Sequence, residues 1–361
     1  MKTAFICFFP VFPTNMGSAE VIRSLFLCWP GKKKIFQISH INNKKNSNLY
    51  SLKIFKENPI LKLLAIPILM YRVLKYLYSS KKKIIIIEGP SWIGYSFFSL
   101  ILIRIFSPNT KIIYHSHSIE YEVRKMMSSK FVAYMSKLFE NYVFNKSDIS
   151  TSVSKIEMNK IQKLYNTNCI KLNNGISEKV LKFKKKKIIN FQYLIYCGSY
   201  KYPPNKYAID YLTNILMPKL KKKFPKLKLI LTGGGLNKNS SQIINVGIVS
   251  KPKLLNLIFN SSLMVLPINK GTGTRIKIIE AMIVGAKILT TKKGIEGIEY
   301  RKRGFPIVQN KKYFFKSIIK ILQKKKNKFK ISPDFKDKYI MENIVKNFFK
   351  EKNVKKIFET N

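Results

Sequence analysis

The feature that most narrows the fold of this chain is an opening that occurs twice. Residues 3–9 form an apolar, strand-like run leading into PVFPTNMGSAEVIRSLF, and residues 192–197 form another leading into GSYKYPPNKYAIDYLTNIL. Each reads as strand, loop bearing Pro and Asn, then helix. Strands that alternate with helices build parallel sheets covered on both faces. Residues 84–87 are four consecutive isoleucines, as expected of a strand buried on both sides. One opening at the start and another past the midpoint predict α/β architecture with two Rossmann-like doubly wound lobes, the active site lying in the cleft between them. At 361 residues and 46% hydrophobic composition, the chain has enough apolar material for two cores. The lobes are expected at 1–178 and 191–334. They are separated by a basic linker, 179–190, that holds Lys182-Phe183-Lys184-Lys185-Lys186-Lys187. Residues 335–361 close the chain with a basic amphipathic segment that reads as a terminal helix.

The formal charge of +50, from 68 Lys plus Arg against 18 Asp plus Glu, would by itself suggest nucleic acid or anionic lipid. Few of those cations are arginine, whose planar fork suits guanine and phosphate. The lysines run through the whole chain alongside Ile and Asn, so no specific nucleic-acid partner is expected. An anionic membrane surface fits better. Residues 61–78, LKLLAIPILMYRVLKYLY, are apolar and basic and suit a membrane interface, or equally a core helix. The longest uncharged run, 89–103, is too short to span a bilayer. Four cysteines without a Cys-x-x-Cys pair read as buried thiols in a reducing compartment.

Chemistry concentrates in two places. Residues 263–267 read as a buried strand, Gly271-Thr272-Gly273-Thr274 as a turn with hydroxyls placed to start a helix, and Ile276, Ile279 and Ile283 as that helix's apolar face. Helix-start amides at Gly273 and Thr274, with Arg275 and Lys277, suit a diphosphate, and Glu280 one turn on suits ribose hydroxyls. Lys277 and Glu280, three apart, are expected to face the same space. In the first lobe, a strand at 111–114 ends in His115-Ser116-His117-Ser118-Ile119-Glu120, and polar groups at a strand's carboxyl end point to a ligand crevice. Two histidines alternating along a strand should point to opposite faces, so no metal is assigned there.

The string GTGTRIKIIEAM, followed by a strand at 286–291 and by GIEGI, resembles the donor-binding segment of family 4 glycosyltransferases of the two-lobed GT-B type, the glycosyl transferases group 1. HSHSIEYEVRK is similar to that family's first-lobe segment, in which a His followed three residues later by Glu faces the donor sugar. His117 and Glu120 match it, which makes His117 the catalytic candidate. Asn174-Gly175-Ile176 resembles the family's turn into the second lobe. The resemblance implies donor contacts from Gly17, where a Gly pair is usual and Ser18 departs from it, and from Gly198, Gly271, Thr272, Gly273, Thr274, Arg275, Lys277 and Glu280. It also implies a cation in the loop after the first strand of the second lobe, filled here by Lys201 or Lys206. The first of the family's two glutamates eight apart is replaced by Thr272. The terminal helix is expected to cross back onto the first lobe. Further implications are a nucleoside-diphosphate sugar donor, no other cofactor, no metal, retention at the anomeric carbon, and a saccharide or lipid-linked acceptor in cell-envelope polysaccharide synthesis. The enzyme would be cytoplasmic, peripheral at the inner face of the membrane. A basic nucleic-acid or membrane binder and a catalytically inactive scaffold are the competing readings.

Overall fold

A computed structural model describes residues 1–12, 16–42, 46–178, 189–236, 239–300, 306–323 and 333–359. Most of the expected linker, 179–188, lies outside them. The chain divides into two units, one made of Met1–Ser177, Thr272–Thr274 and Ile340–Asn361, the other of Glu178–Gly271 and Arg275–Tyr339.

The first unit holds a seven-stranded parallel sheet of β1 (Lys2–Cys7), β2 (Lys32–Ser39), β3 (Leu49–Lys53), β4 (Lys83–Glu88), β5 (Lys111–Ser116), β6 (Ile149–Ser152) and β7 (Ile170–Lys171), in the order β3-β2-β1-β4-β5-β6-β7. The four isoleucines of β4 are buried and register against β1 on one side and β5 on the other. They form the centre of the sheet because an all-apolar strand has no solvated face to offer. The order reverses between β1 and β4, so connections leave their carboxyl ends in opposite directions. In an open parallel sheet that reversal is where a ligand crevice opens. β3 and β7 lie at the sheet's edges and carry little sequence signal, which is why alternation alone does not reveal them.

The segment expected to close the chain as one helix instead forms three: Pro333–Tyr339 in the second unit, then Met341–Phe348 and Lys352–Glu359 in the first. Ile340 interrupts them by adopting extended backbone and forming a parallel bridge to Ile176. Phe348, Phe349 and Phe358 close around Trp29, with ring centroids 5.7, 5.0 and 6.2 Å away. Trp29 is 1% exposed as a result.

The second unit repeats the plan with β8 (Tyr193–Cys197), β9 (Lys228–Thr232), β10 (Ile243–Asn245), β11 (Leu263–Leu266), β12 (Ile288–Thr290) and β13 (Ile307–Val308), all parallel, in the order β10-β9-β8-β11-β12-β13. Its reversal falls between β8 and β11. The loops after those two strands therefore border the second unit's crevice.

Candidate active site

In the second unit, β11 feeds a glycine-containing loop and then the helix Ile276–Ile283. That helix starts later than the sequence suggested. Arg275 is its N-cap, in extended conformation, so Gly273 and Thr274 precede the helix and do not supply its first amides. The free N–H groups of the first turn belong to Ile276 and the residues after it. Gly271 and Gly273 have φ of +104° and +75°, turning the chain in a way that disfavours side-chain-bearing residues.

Lys277 reaches β8 and the helix Pro203–Tyr211 that follows it. Its ammonium donates to Asn205 Oδ1 at 3.0 Å and stands 4.9 Å from the centre of the Tyr196 ring. Tyr196 donates its hydroxyl to the same Asn205 oxygen at 2.8 Å, while Asn205 Nδ2 donates to the Ser199 carbonyl at 2.9 Å. Burial pushes the Lys277 ammonium down to about 8, with the nearby Arg275 charge adding to that fall and Glu280 opposing it. Gly198, at φ +155°, leaves room for this arrangement: a Cβ there would stand 2.7 Å from Asn205 Nδ2 and 2.8 Å from Lys277 Nζ.

Glu280 does not pair with Lys277. Its carboxylate, 3% exposed, forms an ion pair with Lys251, the first residue of the helix Lys251–Asn260. The spacing of three on the helix places Lys277 and Glu280 within electrostatic reach of each other, but each takes its direct partner from a different loop or helix. Asn205 and Lys251 are the residues that sequence reasoning missed. Asn205 stood in the PPNK loop, and Lys251 had no local signal. Arg275 donates to the Lys270 carbonyl at 3.3 Å. Lys201 is exposed against Gly235, and Lys206 lies 5.7 Å from the Tyr200 ring centre.

In the first unit, His115 is the penultimate residue of β5, His117 follows that strand's carboxyl end, and Glu88 closes β4. The expectation that the two imidazoles point to opposite faces is wrong: their ring centres are 4.4 Å apart. β5 ends at Ser116, so His117 lies beyond the pleat and alternation no longer governs its direction. His117 Nε2 hydrogen-bonds Glu88 Oε2 at 2.8 Å, and His115 Nδ1 hydrogen-bonds the Thr151 hydroxyl at 2.7 Å. All three titratable groups are buried. Burial pushes the Glu88 carboxyl up to about 7 and both imidazoles down to about 3, leaving the histidines neutral at physiological pH. Donor atoms of Glu88, His115 and His117 lie within 4.8 Å of one another, a spacing that the reading of opposite faces had excluded.

The segment Thr272–Thr274, which belongs to the first unit, meets this end of the sheet. A Cβ on Gly273 would come within 2.9 Å of the His117 carbonyl, and Asn174 Nδ2 donates to the Thr274 carbonyl at 3.3 Å. Asn174 Oδ1 and Thr274 Oγ1 are buried there without a protein partner. Glu120 begins the helix Glu120–Met127 and holds Arg124 Nε at 2.5 Å. The start of that helix is pinned by Glu140, whose carboxylate accepts from the amides of Glu120 at 2.7 Å and Tyr121 at 3.0 Å. Gly17, the first residue of the helix Gly17–Cys28, is exposed.

Residues 192–324 match the family model described as Glycosyl transferases group 1. Over that span the chain is similar to the glycosyl transferases group 1, which marks it as a glycosyltransferase. No curated protein sequence matches the chain. Among solved structures, the glycosyltransferase is similar to sucrose-phosphate synthase from Thermosynechococcus elongatus, with TM-score 0.67, 14% identity, and coverage of 99% of this chain and 95% of that one. It is also similar to Anabaena HepE in complex with UDP-glucose, with TM-score 0.63, 11% identity and coverage of 99% and 98%. A glycosyltransferase from Rickettsia africae gives 0.63, 13% and 99% of each chain. These likenesses show the fold, which is the GT-B fold of two doubly wound α/β units.

Proposed function

We propose that the glycosyltransferase moves a sugar from a nucleoside-diphosphate sugar to a saccharide or lipid-linked acceptor of the cell envelope, with retention and without a metal. The observation that carries this reading is Lys277, a desolvated ammonium on the helix after β11, held by Tyr196 of β8 and by Asn205 of the helix Pro203–Tyr211. An ammonium raised in energy by burial gains most from an anion, and a departing diphosphate is such an anion. Arg275 adds charge, and the first-turn amides of Ile276–Ile283 add oriented donors. Gly198, Gly271, Thr272, Gly273 and Thr274 allow the donor to approach backbone, with Lys201 at the loop's exposed edge and Gly17 serving the first unit's side. Glu280, its charge held by Lys251, takes the ribose hydroxyls. HepE is described in complex with UDP-glucose, which favours a UDP-sugar among the possible donors.

His117 is assigned to the transferring sugar. It is a neutral, buried imidazole at a strand's carboxyl end beside a segment of the glycine-threonine loop. His117→Ala should lower turnover by about a hundredfold, the low end for a positioned polar group, with a much smaller change in nucleotide affinity. Full turnover in that variant would remove His117 from the reaction. A thermal-shift panel of UDP-, GDP-, ADP- and dTDP-sugars, followed by transfer assays with and without chelator, tests the wider reading. No stabilisation by any of them would exclude a donor-binding enzyme, and loss of transfer in chelator would exclude the metal-free route.

We also propose that the enzyme works at an anionic membrane surface. The helix Pro59–Leu77 buries Ala65, Ile66, Leu69, Met70 and Val73, yet leaves Ile60, Leu64, Ile68 and Tyr71 between 53% and 68% exposed on its other side. Among the described residues no helix is long and apolar enough to cross a membrane, so this face would lie in an interface.

A further inference from the structure

Resting on the assignment of His117 to the transferring sugar, we infer that Glu88 is a positioning residue that fixes His117 in the tautomer protonated at Nε2, leaving Nδ1 as the ring's hydrogen-bond acceptor. Neutral imidazole carries one N–H, and which nitrogen bears it is decided by the partner of the other. Glu88 Oε2, 2.8 Å from His117 Nε2, is that partner. The second carboxylate oxygen, Oε1, is buried and has no hydrogen-bond partner. Above the value of about 7 to which burial raises it, the carboxyl is ionised; stabilising that carboxylate then falls on the one contact it does make, which requires a proton on Nε2. A carboxylate that sits wholly within the sheet end has nowhere else to turn: Glu88 is 0% exposed and is the last residue of β4, while the next residue, Gly89, donates its amide to the His115 carbonyl at 2.9 Å.

The neighbouring His115 Nδ1 stands 2.7 Å from the Thr151 hydroxyl, and the two rings lie 4.4 Å apart with planes at 61°. A sugar hydroxyl meeting His117 would consequently find an acceptor, which holds that hydroxyl as a donor. If Glu88 were lost, His117 could invert and offer an N–H to the same hydroxyl. The pairing thus sets the sense of the hydrogen bond that a reacting sugar meets, and its effect belongs to turnover more than to nucleotide binding.

The chain has three histidines, His40, His115 and His117, so nitrogen-15 histidine labelling resolves the tautomers directly. At pH 8 the expected spectrum has His117 protonated at Nε2. Glu88→Met, which removes the acceptor but keeps a chain of similar length, should give His117 a mixture of tautomers. It should also lower kcat roughly ten- to a hundredfold, with donor affinity changed by less than about threefold and thermal stability retained. His117 protonated at Nδ1 in the unaltered enzyme would overturn the inference, even if Glu88→Met failed to fold. So would unchanged kcat in a folded Glu88→Met. Full turnover in His117→Ala would instead overturn the assignment beneath it, whichever tautomer is observed.

Discussion

Lys277 shows how one residue's surroundings set a testable pH dependence. An ammonium pushed down to about 8 by burial is charged below that pH and neutral above it. Affinity for a nucleoside diphosphate should therefore fall as pH rises from 7 through 8, because the bound anion then meets an uncharged amine. Titration calorimetry with UDP at pH 7 and pH 9.5 checks this, and equal affinities would take Lys277 out of the diphosphate site. Glu280 and Lys251 make a second test. Glu280→Gln should weaken donor binding by about one to two decades, since a hydrogen bond to a charged group is worth roughly 1.5 to 3 kcal/mol. Lys251→Met should instead lower the melting temperature more than Glu280→Gln does, because it leaves a buried carboxylate without its cation. His115→Ala should likewise cost stability more than activity, through the lost Thr151 bond and the space left in a closed core. The residue types at these positions were legible in the sequence, but their partners were not. Lys277 and Asn205 are 72 positions apart and Glu280 and Lys251 are 29 apart, and no local spacing rule reaches that far.

At the scale of the element, helices and strands were placed well where the apolar pattern was strong and misplaced where a loop decided the boundary. The helix expected to begin at the glycine-threonine turn begins at Ile276, since Gly271 and Gly273 adopt positive φ and cannot continue into helical backbone. The strand Ile243–Asn245 is short, and the chain turns just past it at Gly247 with φ +63°. The helix Pro59–Leu77 has one face in the core and an opposite apolar face that is exposed. Its outward Ile60, Leu64 and Ile68 predict flotation with vesicles rich in anionic lipid and little with neutral ones. Leu64→Ser with Ile68→Ser should abolish flotation while leaving the melting temperature within a few degrees, because both side chains are already solvated. Equal binding to neutral vesicles would contradict the electrostatic part of the reading.

For the whole molecule, the return of the chain to the first unit has a structural cost if it is cut. Residues after Tyr339 supply Phe348, Phe349 and Phe358 around Trp29 and add Ile340 beside Ile176. A chain ending at Tyr339 should expose Trp29 and lose the cooperative melting of the first unit, with Trp fluorescence shifted to the red. Losing even one buried aromatic costs about 3–5 kcal/mol, a large part of a domain's total stability. Unchanged emission would show that these helices are dispensable to the fold.

By itself the sequence determined the two α/β units and the strands at their centres, because buried parallel strands must be apolar throughout and announce themselves as runs such as IIII. It also determined the glycines of the loop after β11, whose backbone angles few other residues tolerate. Tertiary structure alone decided which side chains meet. Glu88 and His117 come together through the register of β4 on β5, two strands separated in the chain by a whole helix. His115 and His117 face one another because the strand stops between them. Periodicity describes a residue's direction only while regular backbone lasts, and His117 lies just past where that backbone ends.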